Sequence, residues 1–473
     1  MGPGTDRTVL LLVAAVALTL ACAIPVPAGR PANPDGAQLM AGVARIGITP
    51  AQPVWMAGYA ARKKPSEGTA QELHAKVLAL SDGSGGRLVV ITSDLLGFPA
   101  SVAEPAAERL AERYGLRRDQ VLFTSSHTHS GPVVRDSLAV AYDLSPEQVA
   151  AVRSYTEWLK GRLEQAVGLA LSSMKPADLR LGRGSAAFGV NRRQKKESGF
   201  VIGLNPGGPV DHEVTVLTVG NPGTAPAAVL FSYACHNTTL GADNYRFHGD
   251  YAGIAQEELE KALPGTVALF MIGCAADTNP DPRGTMELAA EHGRALASAV
   301  QKALSGDLRR LRGPLATRFE RVRLPFSPAP SRAELEARLA DRDVYRQRNA
   351  RALLEIVAEK GSLPDHYPYP IQVARLGDGL TLVALAGEVV VDYNLRLKRE
   401  LAPADGLWVV GYANDVFAYI PSKRVLEEGG YEADTSMIYY GLYGPWDPSV
   451  EELIVGKVRE MCGRDGNSRR REK

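Results

Sequence analysis

Cysteine, histidine and long apolar runs are all scarce in this chain. It has 4 Cys and 8 His in 473 residues, and the three cysteines after Cys22 lie far apart, at Cys235, Cys274 and Cys462. An odd number without Cys-x-x-Cys spacing argues against a disulfide framework, although a single bridge stays open. The sequence also lacks a Gly-x-Ser-x-Gly motif, and with it the nucleophile elbow of the α/β serine hydrolases.

Neither sign of charge dominates the chain. Lys and Arg total 54, Asp and Glu total 53, and the formal net charge is +1. Because the basic residues are dispersed, nucleic acid is not expected as a partner. The exception is Arg469–Arg471, which lies in a tail over residues 459–473 that we expect to be solvated and disordered.

One long apolar run is present, at the N-terminus. Val9 to Leu20 is almost wholly apolar, follows Arg7 and precedes the small residues Ala21-Cys22-Ala23. This pattern predicts a signal peptide over residues 1–23, and hence an exported protein, secreted or periplasmic. Lipidation of Cys22, with peripheral membrane contact, stays open as an alternative. Residues 24–41 are rich in Pro, Gly and Ala and are expected to form a linker.

The remainder has the composition and pattern of an α/β protein. Hydrophobic residues make up 45% and charged residues 23% of the chain, as in ordinary globular domains. Alternating strand and helix patterns predict a mixed β-sheet core flanked by helices, with a metal site at strand ends, in one domain over residues 42–458. The predicted strands cover 88–92, 121–125, 214–219, 228–233, 267–272, 371–376 and 380–385. The predicted helices cover 103–114, 145–172 and, as one helix or a pair, 331–360. A domain boundary near residues 305–314 stays open, but strand 371–376 could rejoin the first sheet, and one domain is preferred.

Two histidines two residues apart form the most informative motif. His127 and His129 follow the apolar run Val121–Phe123, within Ser125-Ser126-His127-Thr128-His129-Ser130-Gly131-Pro132. If the strand continues, its alternation places both imidazoles on one face. They then either address one metal ion together, or one binds metal while the other contacts substrate.

Other polar residues follow predicted strands, where α/β folds place their sites. His236 comes after 228–233, the stretch Gly273–Pro280 after 267–272, and Glu388 after 380–385. Two imidazoles and a carboxylate suit a catalytic Zn²⁺ with an open position. Taken singly, His236 is more typical of a satisfied core histidine, and Glu388 of an ion-pair partner.

Further candidates carry two interpretations each. Asp94 and Asp250 either orient the ligand imidazoles or serve a strand-end turn and a helix cap. Cys235 and Cys274 are either soft metal ligands or small buried hydrophobes. Thr278 and Ser130 are candidate nucleophiles that no sequence motif supports.

An ordered set of motifs resembles the neutral ceramidase family, in particular its N-terminal catalytic domain. The set runs in order from about residue 42 to residue 446. It comprises Ser126–Pro132, Asn191-Arg192, Cys235-His236, Gly387-Glu388, and Ala413-Asn414-Asp415 leading through Tyr419 to Tyr431-Glu432. The family consists of secreted or membrane-associated zinc amidases that hydrolyse the N-acyl bond of ceramide.

The resemblance implies one Zn²⁺ per chain and a role for each matched residue. Metal ligands would be His127, His236, Glu388 and Tyr419. Substrate-facing, catalytic roles would fall to His129, Arg192 and Tyr431. A small-molecule or lipid N-acyl substrate is implied as the partner, while the oligomeric state is left open.

Several positions depart from the family pattern. The Gly-Asp-Val-Ser-Pro-Asn loop of the family corresponds here to Ala275–Pro280, which contains no serine. Val416 stands where family members often have a tyrosine, and the segment His248–Tyr251 is unlike the sequence expected for the family. The chain ends soon after Trp446, so the family's C-terminal immunoglobulin-like domain is expected to be absent.

The sequence therefore predicts an exported zinc-dependent amidase acting on an N-acyl bond, with a ceramide-like lipid as substrate. Zinc lowers the pKa of bound water toward about 7. His129 would act as general base and then general acid, and Arg192 and Tyr431 as oxyanion donors. Each well-placed donor is worth roughly 3 to 4 kcal/mol. Two alternatives stay open: a zinc esterase or deacetylase of envelope carbohydrate, and a zinc-binding homologue without turnover.

Overall fold

The computed structural model describes Met1 and residues 38–463, apart from 221–223, 378 and 402–405. The predicted signal peptide, Cys22, most of the linker and the end of the tail lie outside the described residues. From residue 38 onward the described residues belong to one compact unit.

Strands account for most of the regular structure near the centre. They are β1 Met40–Gly47, β2 Gly68–Thr69, β3 His74–Ser81, β4 Arg87–Ser93, β5 Val121–Phe123, β6 Lys175–Pro176, β7 Asp178–Ser185, β8 Gly189–Lys196, β9 Gly199–Asn205, β10 Glu213–Gly220, β11 Ala228–Tyr233, β12 Arg246–Phe247, β13 Val267–Ile272, β14 Thr278–Pro280, β15 Arg309–Leu311, β16 Leu315–Pro325, β17 His366–Leu376, β18 Leu380–Leu385, β19 Glu388–Val389, β20 Leu407–Val410 and β21 Tyr419–Ile420.

Helices cover the outside of the sheets. They are α1 Ala100–Tyr114, α2 Pro146–Ser172, α3 Asp250–Ala262, α4 Met286–Leu304, α5 Arg332–Arg338, α6 Val344–Lys360, α7 Val391–Leu401, α8 Lys423–Glu428 and α9 Val450–Gly463, with short 3₁₀ turns at Arg118–Gln120 and Thr435–Tyr440. No helix in the part of the chain that the structure describes is both long and apolar enough to span a bilayer.

Three larger sheets share one construction. Their strand orders are β5-β4-β3-β1-β6, β13-β11-β10-β7-β15 and β16-β17-β18-β20. Each contains one parallel pair, β4 with β5, β11 with β13, and β18 with β20. In each pair a helix, α1, α3 or α7 respectively, lies between the two strands in sequence. These are βαβ units, which bring the carboxyl ends of both parallel strands to the same edge.

The inner faces of the three sheets meet in a common apolar cluster. Aliphatic side chains fill this cluster, among them Leu78 and Val90 from the first sheet, Leu230 from the second and Leu382 from the third. Separate clusters join each outer face to its own helices: α1 and α2, α3 and α4, and the helices from α5 to α9. Burial on both faces explains why the central strands read as continuous apolar runs.

Serine side chains cap the first turn of two of the predicted helices. The Ser145 hydroxyl accepts a hydrogen bond from the Gln148 amide, and the Gln148 side chain accepts one from the Ser145 amide, so α2 begins with a full capping box. Ser331 caps α5 in the same way with Glu334. Of the two forms predicted for residues 331–360, one helix or a pair, the structure shows the pair, because α5 ends at Arg338 and Asp343 caps a new helix, α6.

The predicted mixed α/β core is confirmed, but one strand lies elsewhere than expected. Segment 371–376 is part of β17, which pairs with β16 and β18 in the third sheet and does not rejoin the first. Apolar alternation identifies a strand without identifying its partners, which is why this pairing was wrong. At the C-terminus, α9 runs through Gly463, so the first residues of the expected tail are helical.

The pairing of two central aromatic residues gives a test of the core. Phe270 of β13 is 1% exposed, and its ring lies 5.4 Å from that of its register partner Phe231. We expect Phe270→Ala to lower the free energy of unfolding by about 3–5 kcal/mol, since it leaves a cavity. Leu204→Ala, on an exposed position of β9, should change it by less than about 0.5 kcal/mol. Denaturant titration followed by circular dichroism measures both, and equal effects would contradict this packing.

Candidate metal centre and active site

His127 and His129 meet in space, although strand alternation is not the reason. Strand β5 ends at Phe123, and His127 adopts a left-handed φ of 58° in the loop beyond it. The two Nε2 atoms nevertheless lie 3.3 Å apart. The expectation of a continued strand is therefore wrong in its local geometry, because a left-handed residue breaks the alternation.

His127 and His236 are both fully buried, and the Nδ1 atom of each lies within hydrogen-bond distance of a backbone carbonyl oxygen. Nδ1 of His127 lies 2.6 Å from the Leu96 carbonyl oxygen, and Nδ1 of His236 lies 2.7 Å from that of Ala275. A carbonyl oxygen only accepts hydrogen bonds, so each Nδ1 carries the proton and donates it. Each Nε2 is consequently left with a lone pair, the form in which imidazole binds metal.

Glu388 lies between these two lone pairs. Its Oε2 is 3.3 Å from Nε2 of His127 and 3.1 Å from Nε2 of His236, and its Oε1 accepts a hydrogen bond from the Tyr440 hydroxyl. Glu388 is thus a buried partner of both histidines, a position compatible with either of its two interpretations, ion-pair partner or metal ligand.

His129 belongs to the same group but is held differently. The donor atoms of His127, His129 and His236 all lie within 4.8 Å of one another. Burial, with His127 and His236 nearby, lowers the pKa of His129 well below 6.5. Its Nδ1 has no hydrogen-bond partner among the described residues. His129 is therefore an uncharged imidazole, able to accept a proton, next to the donor group.

Tyr419 and Arg192 form the opposite wall. The Tyr419 hydroxyl lies 3.5 Å from Nε2 of His236 and 3.0 Å from Nη2 of Arg192. Arg192 is itself buried and paired through Nε with Glu432 at 2.8 Å. Burial raises the pKa of Tyr419 well above 10, while Arg192 opposes that rise. The arginine thus favours negative charge on the phenol oxygen.

The predicted site residues line or border one cavity. It measures about 270 Å³, and His129, Arg192, Glu388, Tyr419 and Tyr431 are all part of its lining. Burial raises the pKa of Tyr431, which keeps its hydroxyl protonated and able to donate. A larger groove of about 570 Å³ runs elsewhere, between residues 133–144 and α6, and contains none of the predicted site residues.

The loop that departs from the family pattern joins several parts of the site. The Ala275 carbonyl orients His236, and Asn279 accepts a hydrogen bond from Nη1 of Arg192 at 3.2 Å. Between them, Asp277 accepts from the Val391 amide at 2.9 Å and from Nδ2 of Asn191 at 3.2 Å. The loop lacks a serine but still connects a ligand imidazole to the arginine.

The proposed orienting carboxylates do not contact the ligand imidazoles. Asp94 accepts from the His74 amide and from Gln256, and Asp250 accepts from the amides of Leu240 and Tyr251 at the start of α3. Their structural interpretations, a strand-end turn and a helix start, are therefore the observed ones. Backbone carbonyls take over the orienting role.

The cysteines and hydroxyls of the candidate set also lie outside the donor group. Cys235, Cys274 and Cys462 are unpaired thiols, and Cys235 donates weakly to the His236 carbonyl. Neither Thr278 nor Ser130 is part of the cavity lining.

The donor set fits a divalent metal ion of borderline softness, such as zinc. Two imidazole nitrogens with free lone pairs lie within 3.3 Å of one carboxylate oxygen, a phenol oxygen lies 3.5 Å from one of these nitrogens, and His129 lies alongside. Without a cation, lone pairs and a negative charge would face one another in a space shielded from water, which is costly. The residues therefore suit the group that the sequence predicts.

A family model described as neutral/alkaline non-lysosomal ceramidase, N-terminal, matches residues 39–321, more than half of the chain. The chain belongs to this family. A neutral ceramidase of Mycobacterium tuberculosis is 24% identical over 87% of this chain and 75% of that protein. Neutral ceramidase A of Dictyostelium discoideum is 25% identical over 48% of this chain, but the match spans only 34% of that protein.

The ceramidase fold extends beyond the segment that the family model matches. The crystal structure of a neutral ceramidase from Pseudomonas aeruginosa superposes with a TM-score of 0.68 and 21% identity, over 90% of this chain and 74% of that one. A ceramidase complexed with C2 gives a TM-score of 0.67 at 20% identity. The part of the third sheet that supplies Glu388 and Tyr419 lies beyond residue 321.

Sequence reasoning missed several residues that shape this ceramidase-family site. Tyr440 binds Glu388, Arg62 donates to the His129 carbonyl at 2.8 Å, and Gly58 packs against the His129 ring. Tyr440 follows the matched pair Tyr431-Glu432 closely in sequence, and this proximity could have marked it as a site residue. Nothing in the sequence around Gly58 or Arg62 indicates a contact with a histidine some seventy positions away.

Gly58 tests whether His129 must keep its position. A Cβ at Gly58 would lie 2.4 Å from Nδ1 of His129, and Gly58 has a φ of 95°. We expect Gly58→Ala to displace the imidazole and lower kcat/KM by about 100-fold, in line with general acid–base contributions. Gly265→Ala is the matched control, because its φ is 88° and nothing lies within 4 Å of the added carbon. Equal loss in both variants would assign the effect to backbone strain alone.

Asp277 gives a pH-dependent test of the loop. Burial raises the pKa of its carboxyl from 3.8 to about 7. Between these values the folded state holds a proton that the unfolded state releases, so stability falls as pH rises, by about 1.4 kcal/mol per pH unit. We expect Asp277→Asn to remove this decline, measured by denaturant titrations at pH 5 and pH 7.5. The exposed Asp281→Asn should leave the slope unchanged, and an unchanged slope in Asp277→Asn would contradict the assignment.

Proposed function

We propose that this chain is a zinc-dependent hydrolase that cleaves the N-acyl bond of a ceramide-like lipid. Membership in the ceramidase family supports an amide-bond hydrolase. The observation that carries the metal assignment is the pair of buried imidazoles with Nδ1 donated to carbonyls and Nε2 within 3.3 Å of one carboxylate oxygen.

In this proposal His127, His236, Glu388 and Tyr419 hold one Zn²⁺ per chain. When bound, such an ion acidifies water and polarises the carbonyl under attack. The chain contributes the fixed orientation of the ligands: the Leu96 and Ala275 carbonyls set the imidazole rings, and Tyr440 holds the free oxygen of Glu388. Removing such supporting contacts typically costs about 10- to 100-fold in metal affinity or activity.

The remaining side chains act on the substrate. His129, uncharged in its buried setting, accepts a proton from the attacking water at Nε2 and passes it to the leaving amine. Arg192 uses three of its five N–H donors on Glu432, Asn279 and Tyr419. Two donors therefore remain for the oxyanion, together with the Tyr431 hydroxyl.

The wider setting is also a proposal. The N-terminal pattern of Arg7, the apolar run 9–20 and Ala21–Ala23 supports export, with lipidation of Cys22 as the variant that would keep the protein at a membrane. The cavity of about 270 Å³ is at the small end for ligand sites. It would enclose the amide and its neighbouring groups, while most of a long acyl chain would lie outside.

Metal analysis combined with two histidine variants tests the assignment. Protein purified without added zinc should contain about one zinc per chain, and His236→Ala should lose it. His129→Ala should keep the zinc and lose about 10²–10⁴-fold in kcat. His366→Ala, on β17 and away from the donor group, is the control and should change neither quantity. Loss of zinc from His129→Ala would make His129 a ligand and remove the proton-transfer role proposed for it.

Product analysis tests the bond that is cleaved. Wild-type protein incubated with short-chain ceramide should release fatty acid and sphingoid base, and a chelator should abolish release. Cleavage of simple esters or acetylated sugars without any amide cleavage would favour the esterase alternative. Zinc retention without turnover of any of these would favour a binding protein.

A further inference from the structure

Among the described residues, one cation that lines the cavity has no carboxylate to balance its charge. The charged lining residues are Arg192, Arg283 and Glu388. Arg192 is paired with Glu432, and Glu388 is occupied by two histidines and Tyr440. Arg283, in contrast, is exposed and makes no ion pair or hydrogen bond with any residue in the described ranges.

The backbone around Arg283 is fixed despite the exposure of its side chain. The Asp281 amide donates to the Phe188 carbonyl at 2.9 Å, and the Gly284 amide donates to the Thr239 carbonyl at 2.7 Å. The Pro282 carbonyl oxygen also accepts a hydrogen bond from Nε2 of His292, at 2.6 Å. These three backbone contacts, on both sides of Arg283, hold the base of its side chain in place, so that binding has to order the side chain but not the backbone.

The charge of Arg283 reaches into the cavity. Burial raises the pKa of Tyr59, and the positive charge of Arg283 is among the groups that oppose this rise. Tyr59 lies against His129, with the two ring centres 4.8 Å apart. Arg283 therefore lies near enough to influence groups beside the reacting bond.

We infer that Arg283 is a specificity-determining residue that binds an anionic group, a carboxylate or a phosphate, on the amine-side head group of the N-acyl substrate. The planar guanidinium offers paired N–H donors that match both oxyanions. The acyl chain of an N-acyl lipid carries no charge, which assigns the anion to the head group. This inference rests on the proposed amidase function and narrows its substrate class.

An apolar part of the lining suits the rest of such a substrate. Ile202 is 46% exposed and lines the same cavity, and Leu204, 47% exposed, follows it on the same side of β9. A chain leaving the cavity along these side chains would cover apolar surface that is otherwise in water. The substrate class is then an amphiphile with one anionic end.

Three substrates that differ only in the head group test this inference. They are N-octanoylglycine, N-octanoylphosphoethanolamine and the neutral N-octanoylethanolamine. We expect wild-type kcat/KM to be about 10- to 100-fold higher for an anionic substrate than for the neutral one, as for a charge-assisted hydrogen bond. The better of the two anionic substrates identifies the carboxylate or the phosphate as the group that is bound.

Variants at two arginine positions locate the effect. Arg283→Gln should raise KM for the anionic substrates at least about tenfold while changing the neutral substrate less than about twofold, and Arg283→Lys should keep part of the preference. Arg294→Gln, at an exposed position of α4 outside the cavity lining, should change none of them. Measurable but equal wild-type rates on all three substrates, or equal effects of Arg283→Gln on all three, would overturn the inference.

A binding measurement separates this inference from the amidase proposal. Calorimetry on chelator-treated protein should show N-octanoylglycine or N-octanoylphosphoethanolamine binding at least about tenfold more tightly than N-octanoylethanolamine, with the difference lost in Arg283→Gln. If none of the substrates is cleaved but this difference is present, the amidase proposal fails and the anion site stands. Equal affinity for all three overturns the anion site whether or not turnover is seen.

Discussion

Two hydrogen bonds from imidazoles to backbone carbonyls determine what this site can do. Leu96 and Ala275 each accept the Nδ1 proton of a fully buried histidine. With those protons committed, two lone pairs point toward the carboxylate of Glu388, in a region shielded from water. Such a group is stable only if a cation or added protons fill the space between the donors. A metal ion satisfies all of them at once, and protonation would leave charged imidazoles buried.

The βαβ units explain how these groups come together. In the first unit, Leu96 follows β4 and His127 follows the parallel strand β5; in the second, His236 follows β11 and Ala275 follows β13. Each unit therefore supplies both a proposed ligand and the carbonyl that orients it. The third unit uses the same edge for two oxygen donors, with Glu388 after β18 and the Tyr419 segment after β20. In each of the first two units, the imidazole and the carbonyl oxygen that orients it come from the same βαβ unit. Their relative position therefore does not depend on how the three sheets pack together.

The sequence predicted the strands, and a set of site residues that the fold brings close together, more successfully than the contacts between them. Apolar runs such as 228–233 and 267–272 match β11 and β13 residue for residue, because strands buried on both faces are apolar at nearly every position. The left-handed φ of His127 has no such sequence signal, and neither does the pairing of β17. The orienting groups are peptide carbonyls, which every residue carries, so no side-chain pattern marks Leu96 or Ala275. Gly58 is recognised only once the fold brings it against His129.

The Tyr419 hydroxyl is the least usual of the four proposed metal ligands, and its neighbouring side chains explain how it can serve as one. Nη2 of Arg192 donates to it at 3.0 Å, and an arginine cannot accept a hydrogen bond in return. The phenol must therefore direct its own proton elsewhere, and Nε2 of His236 lies 3.5 Å away. Glu432 holds Arg192 by its Nε, so the guanidinium cannot turn to relieve this arrangement. A cation placed between His236 and Tyr419 would displace that proton, and Arg192 would then stabilise the negative charge left on the phenol oxygen. The buried Arg192–Glu432 pair is therefore a condition for Tyr419 to act as a metal ligand.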